Sequence, residues 1–172
     1  MNDRHTQDSM SVQVATPLGD MLLVARGHAI VYAQFIDRHV LPVPGEAVRD
    51  PRHPVLVRAR IALERYFADG AGVFDVALAP GGTPFQRRVW DAIARIPRGG
   101  TTTYALLAAT IGAPRAVRAV GAATGRNPLC LLIPCHRVVG AGGALTGYAG
   151  GLERKRALLA LESSERTLPV AA

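Results

Sequence analysis

The apolar residues of this chain follow two spacings, and the spacing changes once along its length. Val12-Gln13-Val14-Ala15, Met21 to Ala25 and Ile30 to Ile36 are short runs rich in β-formers and read as strands. Thr16-Pro17-Leu18-Gly19, between the first two, has turn chemistry. Residues 38–54 hold four prolines, a glycine and two histidines, which reads as a loop. Leu56, Ala59, Leu63 and Phe67 then recur at helical spacing, so 55–68 reads as a helix. Val73 to Leu78 is a last strand candidate, and Ala79-Pro80-Gly81-Gly82 marks a boundary.

From Thr83 onward the period is helical. Thr83-Pro84-Phe85-Gln86 has the form of a capping box with proline at the first helical position. Phe85, Val89, Ile93 and Ile96 line one face, and Pro97-Arg98-Gly99-Gly100 stops the helix. A second helix starts after Thr102 or Thr103 and runs to Ile111, before Gly112 and Pro114. A third, from about Arg115 to Thr124, places Arg115, Arg118, Ala119 and Ala122 on one face and Ala116, Val117 and Val120 on the other. Two readings stand here. The helix is either an ordinary amphipathic one with two solvated arginines, or the small-faced, basic second helix of a helix-turn-helix. A final helix within 150–162 puts Glu162 in the apolar stripe of Leu158 and Leu159. A carboxylate there needs a partner, either a histidine or Lys155 on the same face.

These patterns divide the chain into a flexible start (1–10), a small α/β domain (11–82), a mainly helical domain (83–165) and a tail (166–172). With 172 residues, 49% of them apolar, the chain is long enough to bury a core and too apolar to be disordered. No run approaches the roughly 18 apolar residues of a membrane span, and the polar start lacks a signal-peptide core. A cytoplasmic protein with no membrane partner is expected. The net charge is +7, but its placement says more. Met1 to Pro84 carries eight arginines against nine acids; Phe85 onward carries eleven arginines and Lys155 against four acids. All the excess basicity lies in the second half, which suits a polyanion. Cys130 and Cys135 are too close in one apolar run for a structural disulfide, and no second ligand pair completes a zinc site. No metal is expected.

The chemistry centres on Asn127-Pro128-Leu129-Cys130-Leu131-Leu132-Ile133-Pro134-Cys135-His136-Arg137. Leu129 to Ile133 is apolar and β-prone enough to be buried, and Pro134 then breaks regular structure. A cysteine reacts as its thiolate, and only a few per cent ionises near neutral pH without help. An adjoining histidine and arginine can supply a base and a positive field. Cys130, inside the apolar run, fits an inert buried thiol; Cys135 does not. Glu162 is the candidate acid to orient His136.

Ile133-Pro134-Cys135-His136-Arg137-Val138 resembles the active-site motif of the O6-alkylguanine-DNA alkyltransferases, or methylated-DNA–protein-cysteine methyltransferases. The resemblance runs from about Thr83 to Glu162, through Phe85 to Trp90, Tyr104, Arg115 to Gly121, Asn127-Pro128 and Gly147 to Gly151. It implies a ribonuclease-H-like α/β domain followed by a winged-helix domain. It implies single-turnover repair, in which the alkyl group of O6-alkylguanine, and of O4-alkylthymine, moves irreversibly to Cys135 after base flipping. His136 would activate the thiol through water, Glu162 would hold the imidazole, and Asn127 would brace the turn before the active-site segment. Arg118 would fill the space left in the duplex, and Tyr104 would contact the adjacent phosphate and the flipped base. Arg115, Ala119, Gly121 and Ala122 would face the minor groove, and Tyr148, Ala149, Val138 and Pro134 would line the base pocket. The implied partner is alkylated double-stranded DNA with little sequence preference, bound by a monomer that uses no cofactor.

One position departs from the pattern. Some relatives carry serine where Ala149 stands, so leaving-group stabilisation here would rest on backbone N–H groups and Tyr104. Three rivals stay in view on the residues alone: a module that binds alkylguanine without removing the group, a winged-helix regulator, and a cysteine hydrolase that turns over.

Overall fold

The computed structural model describes residues 9–38, 41–69 and 73–163. The expected tail (166–172) and most of the expected flexible start lie outside them. Strand β1 (Ser9–Val14) begins within that start, because Ser9 and Met10 pair with Arg26 and Ala25. β2 (Met21–Arg26) and β3 (Ala29–Phe35) continue an antiparallel meander. The turn between β1 and β2 closes where Gly19, at φ +114°, donates its N–H to the Thr16 carbonyl, a conformation that favours glycine.

Strand alternation explains the core. Val12, Val14, Met21, Leu23 and Ala25 point to one face and meet Leu56, Ala59 and Leu63 of helix α1 (Pro54–Asp69). Val24, Val31 and Tyr32 form a smaller cluster apart from it. Two short strands, β4 (Ala47–Arg49) and β5 (Ala77–Leu78), complete the sheet in the order β4-β1-β2-β3-β5. β4 pairs parallel with β1, inside the stretch the sequence reads as loop. β5 is only Ala77–Leu78, shorter than the expected 73–78 strand, and pairs parallel with the start of β3.

The outer edge of β3 has a second occupant. Ala33 donates its N–H to the Pro128 carbonyl, Cys130 donates to Ala33, and Leu129 bridges Ala33. The sheet of the first half therefore carries the segment that leads to Cys135.

In the second half, helix α2 (Pro84–Ala94) starts with the expected capping box, formed reciprocally by Thr83 and Gln86. Its fully buried Trp90 donates to the Ala123 carbonyl at 2.8 Å, fixing α2 against helix α4 (Val117–Gly125). Helix α3 (Tyr104–Thr110), a turn and α4 follow one another as the helical spacing predicts. The third helix is shorter than expected: it starts at Val117, so Arg115 lies before it. Short strands β6 (Thr102–Thr103) and β7 (Val138–Val139) pair in parallel, and helix α5 (Leu152–Ser163) closes the chain. One apolar core runs through both halves. No described helix is long and apolar enough to cross a membrane.

Candidate active site

The segment between α4 and β7 is buried from Asn127 to His136, as expected of its apolar run, but it is not a strand. The chain turns back at Leu131, which adopts φ +70°. A non-glycine residue there costs on the order of 1–2 kcal/mol, so the surroundings must hold it. Asn127 does much of that work. Its amide nitrogen donates to the Ile133 carbonyl at 2.9 Å and its side-chain oxygen accepts from Leu129 N–H at 2.9 Å. The two ends of the turn are thereby tied to one side chain. Gln34 of β3 in turn donates to the Asn127 carbonyl at 2.7 Å.

Beyond Pro134 a single 3-10 turn, Cys135–Arg137, presents the reactive residues. His136 is fully buried, and its Nε2 lies 2.8 Å from Glu162 Oε1. With Nε2–H donated to the carboxylate, neutral His136 keeps a lone pair on Nδ1. Nδ1 is buried and has no hydrogen bond to any described residue. Glu162 also receives Arg137 Nε and Nη2, each at 2.8 Å, and the Tyr66 hydroxyl at 2.7 Å. The open question of its partner resolves toward the histidine, with two further donors. Burial pushes the Glu162 carboxyl up, but the bonds from His136, Arg137 and Tyr66 outweigh it and hold it well below the ordinary value.

Arg137 is thus spent on Glu162. Cationic support for Cys135 comes instead from Lys155, whose Nζ is fully buried and donates to the carbonyls of Val138 and Thr146, each at 2.6 Å. The Cys135 thiol is held below its ordinary value, first by the neighbouring Cys130 thiol, then by the Asn127 amide and the Lys155 charge, against the opposing pull of burial. Cys130 shows the converse and is pushed well up by its nearness to Cys135 and by burial. It also meets the Tyr148 hydroxyl at 2.9 Å. The sequence reading as an inert thiol missed this contact, since nothing in the spacing shows that the turn at Leu131 brings the two sulfurs together.

Cys135 is only 4% exposed. A cavity of about 510 Å³ nearby is walled by Tyr104, Val117, Arg118, Gly121, Tyr148 and Ala149 among others. Cys135 does not itself line the cavity, but Tyr104 and Tyr148 of its wall are near enough to feel charge on that sulfur. The Tyr104 hydroxyl donates toward the carbonyls of Thr146 and Gly147 at 3.2 and 3.1 Å. Gly147 has φ +53°, and a Cβ there would sit 3.2 Å from that hydroxyl. Two expected lining residues lie elsewhere. Val138 is fully buried in β7, and Pro134 faces a second cavity of about 300 Å³ with Tyr66, Arg98 and Arg137. On α4, Arg118, Ala119 and Ala122 are exposed, Gly121 is half-buried in the cavity wall, and Arg115 is exposed before the helix.

The electrostatics set a pH dependence. Burial lowers the proton affinity of His136 below its free value despite Glu162. Both His136 and Glu162 therefore bind protons more weakly folded than unfolded, so stability must fall as pH falls. The loss is expected to begin near the free histidine value of about 6.5 and to continue below the free glutamate value of about 4.3. Urea unfolding midpoints between pH 8 and 4 check this; a flat profile would contradict the buried pair.

Comparison with known proteins places this geometry. Residues 84–164 match the family described as 6-O-methylguanine DNA methyltransferase, DNA binding domain. The chain is 45% identical over 150 residues to the methylated-DNA–protein-cysteine methyltransferase of Methanosarcina acetivorans, covering 87% of this chain and 95% of that one. The chain belongs to the methylated-DNA–protein-cysteine methyltransferase family. The family member from Mycobacterium tuberculosis is 44% identical over 151 residues, 88% of this chain and 90% of that one. A crystal structure of the M. tuberculosis O6-methylguanine methyltransferase superposes with a TM-score of 0.84 at 41% identity, covering 95% and 96% of the two chains. A structure described as M. tuberculosis OGT in complex with DNA superposes at 0.82 and 41% identity, covering 91% and 93%.

Proposed function

We propose that Cys135 accepts the alkyl group from O6-alkylguanine, and from O4-alkylthymine, in duplex DNA, once per chain. The observation that carries this reading is a thiol that holds its proton less tightly than usual, beside two tyrosines of a cavity that opens next to the exposed Arg118 face of α4. A base inside a duplex cannot reach that sulfur, so the damaged nucleotide must swing out of the stack, which is cheapest for a base that pairs poorly. The α3–turn–α4 pair with β6 and β7 supports a winged-helix reading of 83–165, and the five-stranded sheet with α1 supports a ribonuclease-H-like reading of 11–82. Arg118, Ala119 and Ala122 face the minor groove, where small side chains let the backbone approach. Arg118 fills the gap left by the extruded base, and Arg115 contributes to phosphate binding from ahead of the helix. Tyr104 contacts the phosphate and the flipped base.

The chemistry is a direct displacement. His136 Nδ1 takes the Cys135 proton through a water, and Glu162 stabilises the imidazolium so formed. The sulfur forms a bond to the alkyl carbon as the carbon–O6 bond breaks. The electron pair passes to the guanine, which takes up a proton and leaves. With Ala149 in place of serine, Tyr104 and backbone N–H groups face the departing oxygen. The product is a thioether, so the chain acts as a monomeric, stoichiometric reagent that needs no cofactor, in a cytoplasmic setting.

The test is a duplex carrying labelled O6-methylguanine, followed by peptide mass mapping. One label per chain is expected on Cys135, with none on Cys135→Ser while DNA binding persists. Label on another residue, or many turnovers per chain, defeats the proposal. Arg118→Ala is expected to slow duplex repair by tenfold or more, roughly the loss of one good groove contact, while leaving reaction with free O6-benzylguanine nearly unchanged. Equal slowing on both substrates would remove Arg118 from that role.

A further inference from the structure

We propose that Tyr66 is a positioning residue for alkyl transfer: its phenol, carried in by the helix of the first half, shares one oxygen of Glu162 with His136 and so sets how tightly that carboxylate holds the imidazole. This rests on the reading of Cys135 as an acceptor activated through His136.

Three donors converge on Glu162 Oε1: the Tyr66 hydroxyl at 2.7 Å, His136 Nε2 at 2.8 Å and Arg137 Nη2 at 2.8 Å. A carboxylate oxygen offers about two lone pairs, so the three compete. A phenol merely satisfied in a core would need any acceptor; this one takes the atom that orients the histidine. Its aim is fixed from several sides. Tyr66 is 2% exposed, packs edge-on against Phe67 and tilted against Phe74, and carries the Arg98 guanidinium 5.5 Å over its ring. One turn earlier, Leu63 is fully buried against the sheet. The sheet is itself bonded to the active-site segment through Ala33 and Gln34. Ninety-six positions separate Tyr66 from Glu162, yet sheet, α1 and α5 hold the pair in one frame.

The consequence is electrostatic. Donation from Tyr66 neutralises part of the charge that Glu162 would otherwise direct at His136. Around the imidazole stand Glu162 and Lys155 of α5, Cys135 and Arg137 on either side in sequence, and the Tyr148 ring edge-on at 6.4 Å. Of the three charged side chains Glu162, Arg137 and Lys155, Glu162 favours the protonated ring and the other two oppose it. Removing the phenolic hydroxyl strengthens the one favourable partner. His136 then binds its proton more tightly, and less of it is free to act as base at acidic pH.

The experiment compares wild type and Tyr66→Phe in two ways across pH 5–9: the alkylation rate with free O6-benzylguanine, and the His136 ring titration by NMR. Both the acid limb of the rate and the ring titration are expected to move up by about half a pH unit, a threefold change in proton affinity, with DNA affinity unchanged. Superimposable profiles overturn the proposal, whatever happens to stability, and leave Tyr66 a core residue only. Should Tyr66→Phe not fold, 3-fluorotyrosine at position 66 keeps the ring and donates more strongly, so both profiles should move down; no movement overturns the proposal equally. If wild type carries no label on Cys135, the alkyl-acceptor reading fails, while the ring titration still reports whether Tyr66 governs His136.

Discussion

Glu162→Ala is expected to lose on the order of 3–5 kcal/mol of folding free energy, the usual cost of removing one partner from a buried ion pair. The reason lies in what remains. Among the described residues Arg137 would keep only the Ile96 carbonyl for its guanidinium, while Tyr66 and His136 Nε2 would be left inside the protein without the acceptor they share. Alkyl transfer should fall as well, by roughly the 10²–10⁴-fold that positioned acid–base groups contribute, because the ring loses its orientation and the imidazolium its counter-charge. Glu162→Gln separates the effects: it keeps the shape and an acceptor oxygen, and removes the charge. Urea unfolding at pH 7 and single-turnover kinetics measure both. A stability loss under about 1 kcal/mol for the alanine variant, typical of an exposed pair, would contradict the buried network.

Lys155→Met should leave the fold closer to intact and strike the sulfur. Methionine approximates the apolar stem, although the carbonyls of Val138 and Thr146 lose their donor. The lost ammonium is one of the groups that hold the Cys135 thiol low. Losing a nearby opposite charge lets a thiol hold its proton more tightly, so transfer near pH 7 is expected to slow by about tenfold or more. The sign gives the check: with the thiol pushed up, the rate should recover as pH rises toward 9. A deficit that stays constant with pH would mean that Lys155 shapes the loop rather than the charge.

Much of this site could be read from residue order alone, and the reasons differ by element. The capping box at Thr83, the helix over 54–69 and the placement of Glu162 on an apolar stripe are local patterns, and local patterns survive folding. What could not be read depends on where the chain turns. Leu129 to Ile133 is apolar and β-prone, yet Asn127 ties both ends together around a Leu131 at positive φ. That turn brings Cys130 to Cys135 and moves Pro134 to the far cavity. β4 is three residues with an exposed Val48 at the sheet edge, too short for any period. Arg137 is read as a field on the thiol because it is adjacent in sequence, but adjacency does not say which way a side chain leaves a 3-10 turn. Tyr66 and Gln34 act across some ninety positions, and no local signal announces them.

The boundary at residue 82 is conspicuous in charge, and it invites cutting the gene there to obtain a compact reagent from the basic half alone. Such a fragment would leave Pro128 and Cys130 with two severed backbone bonds, the Asn127 carbonyl without its amide and the acidic end of α5 without its phenol. The excised half would carry every reacting atom and lack the scaffold that aims them. The acidic half is better regarded as the jig in which the reactive loop is clamped.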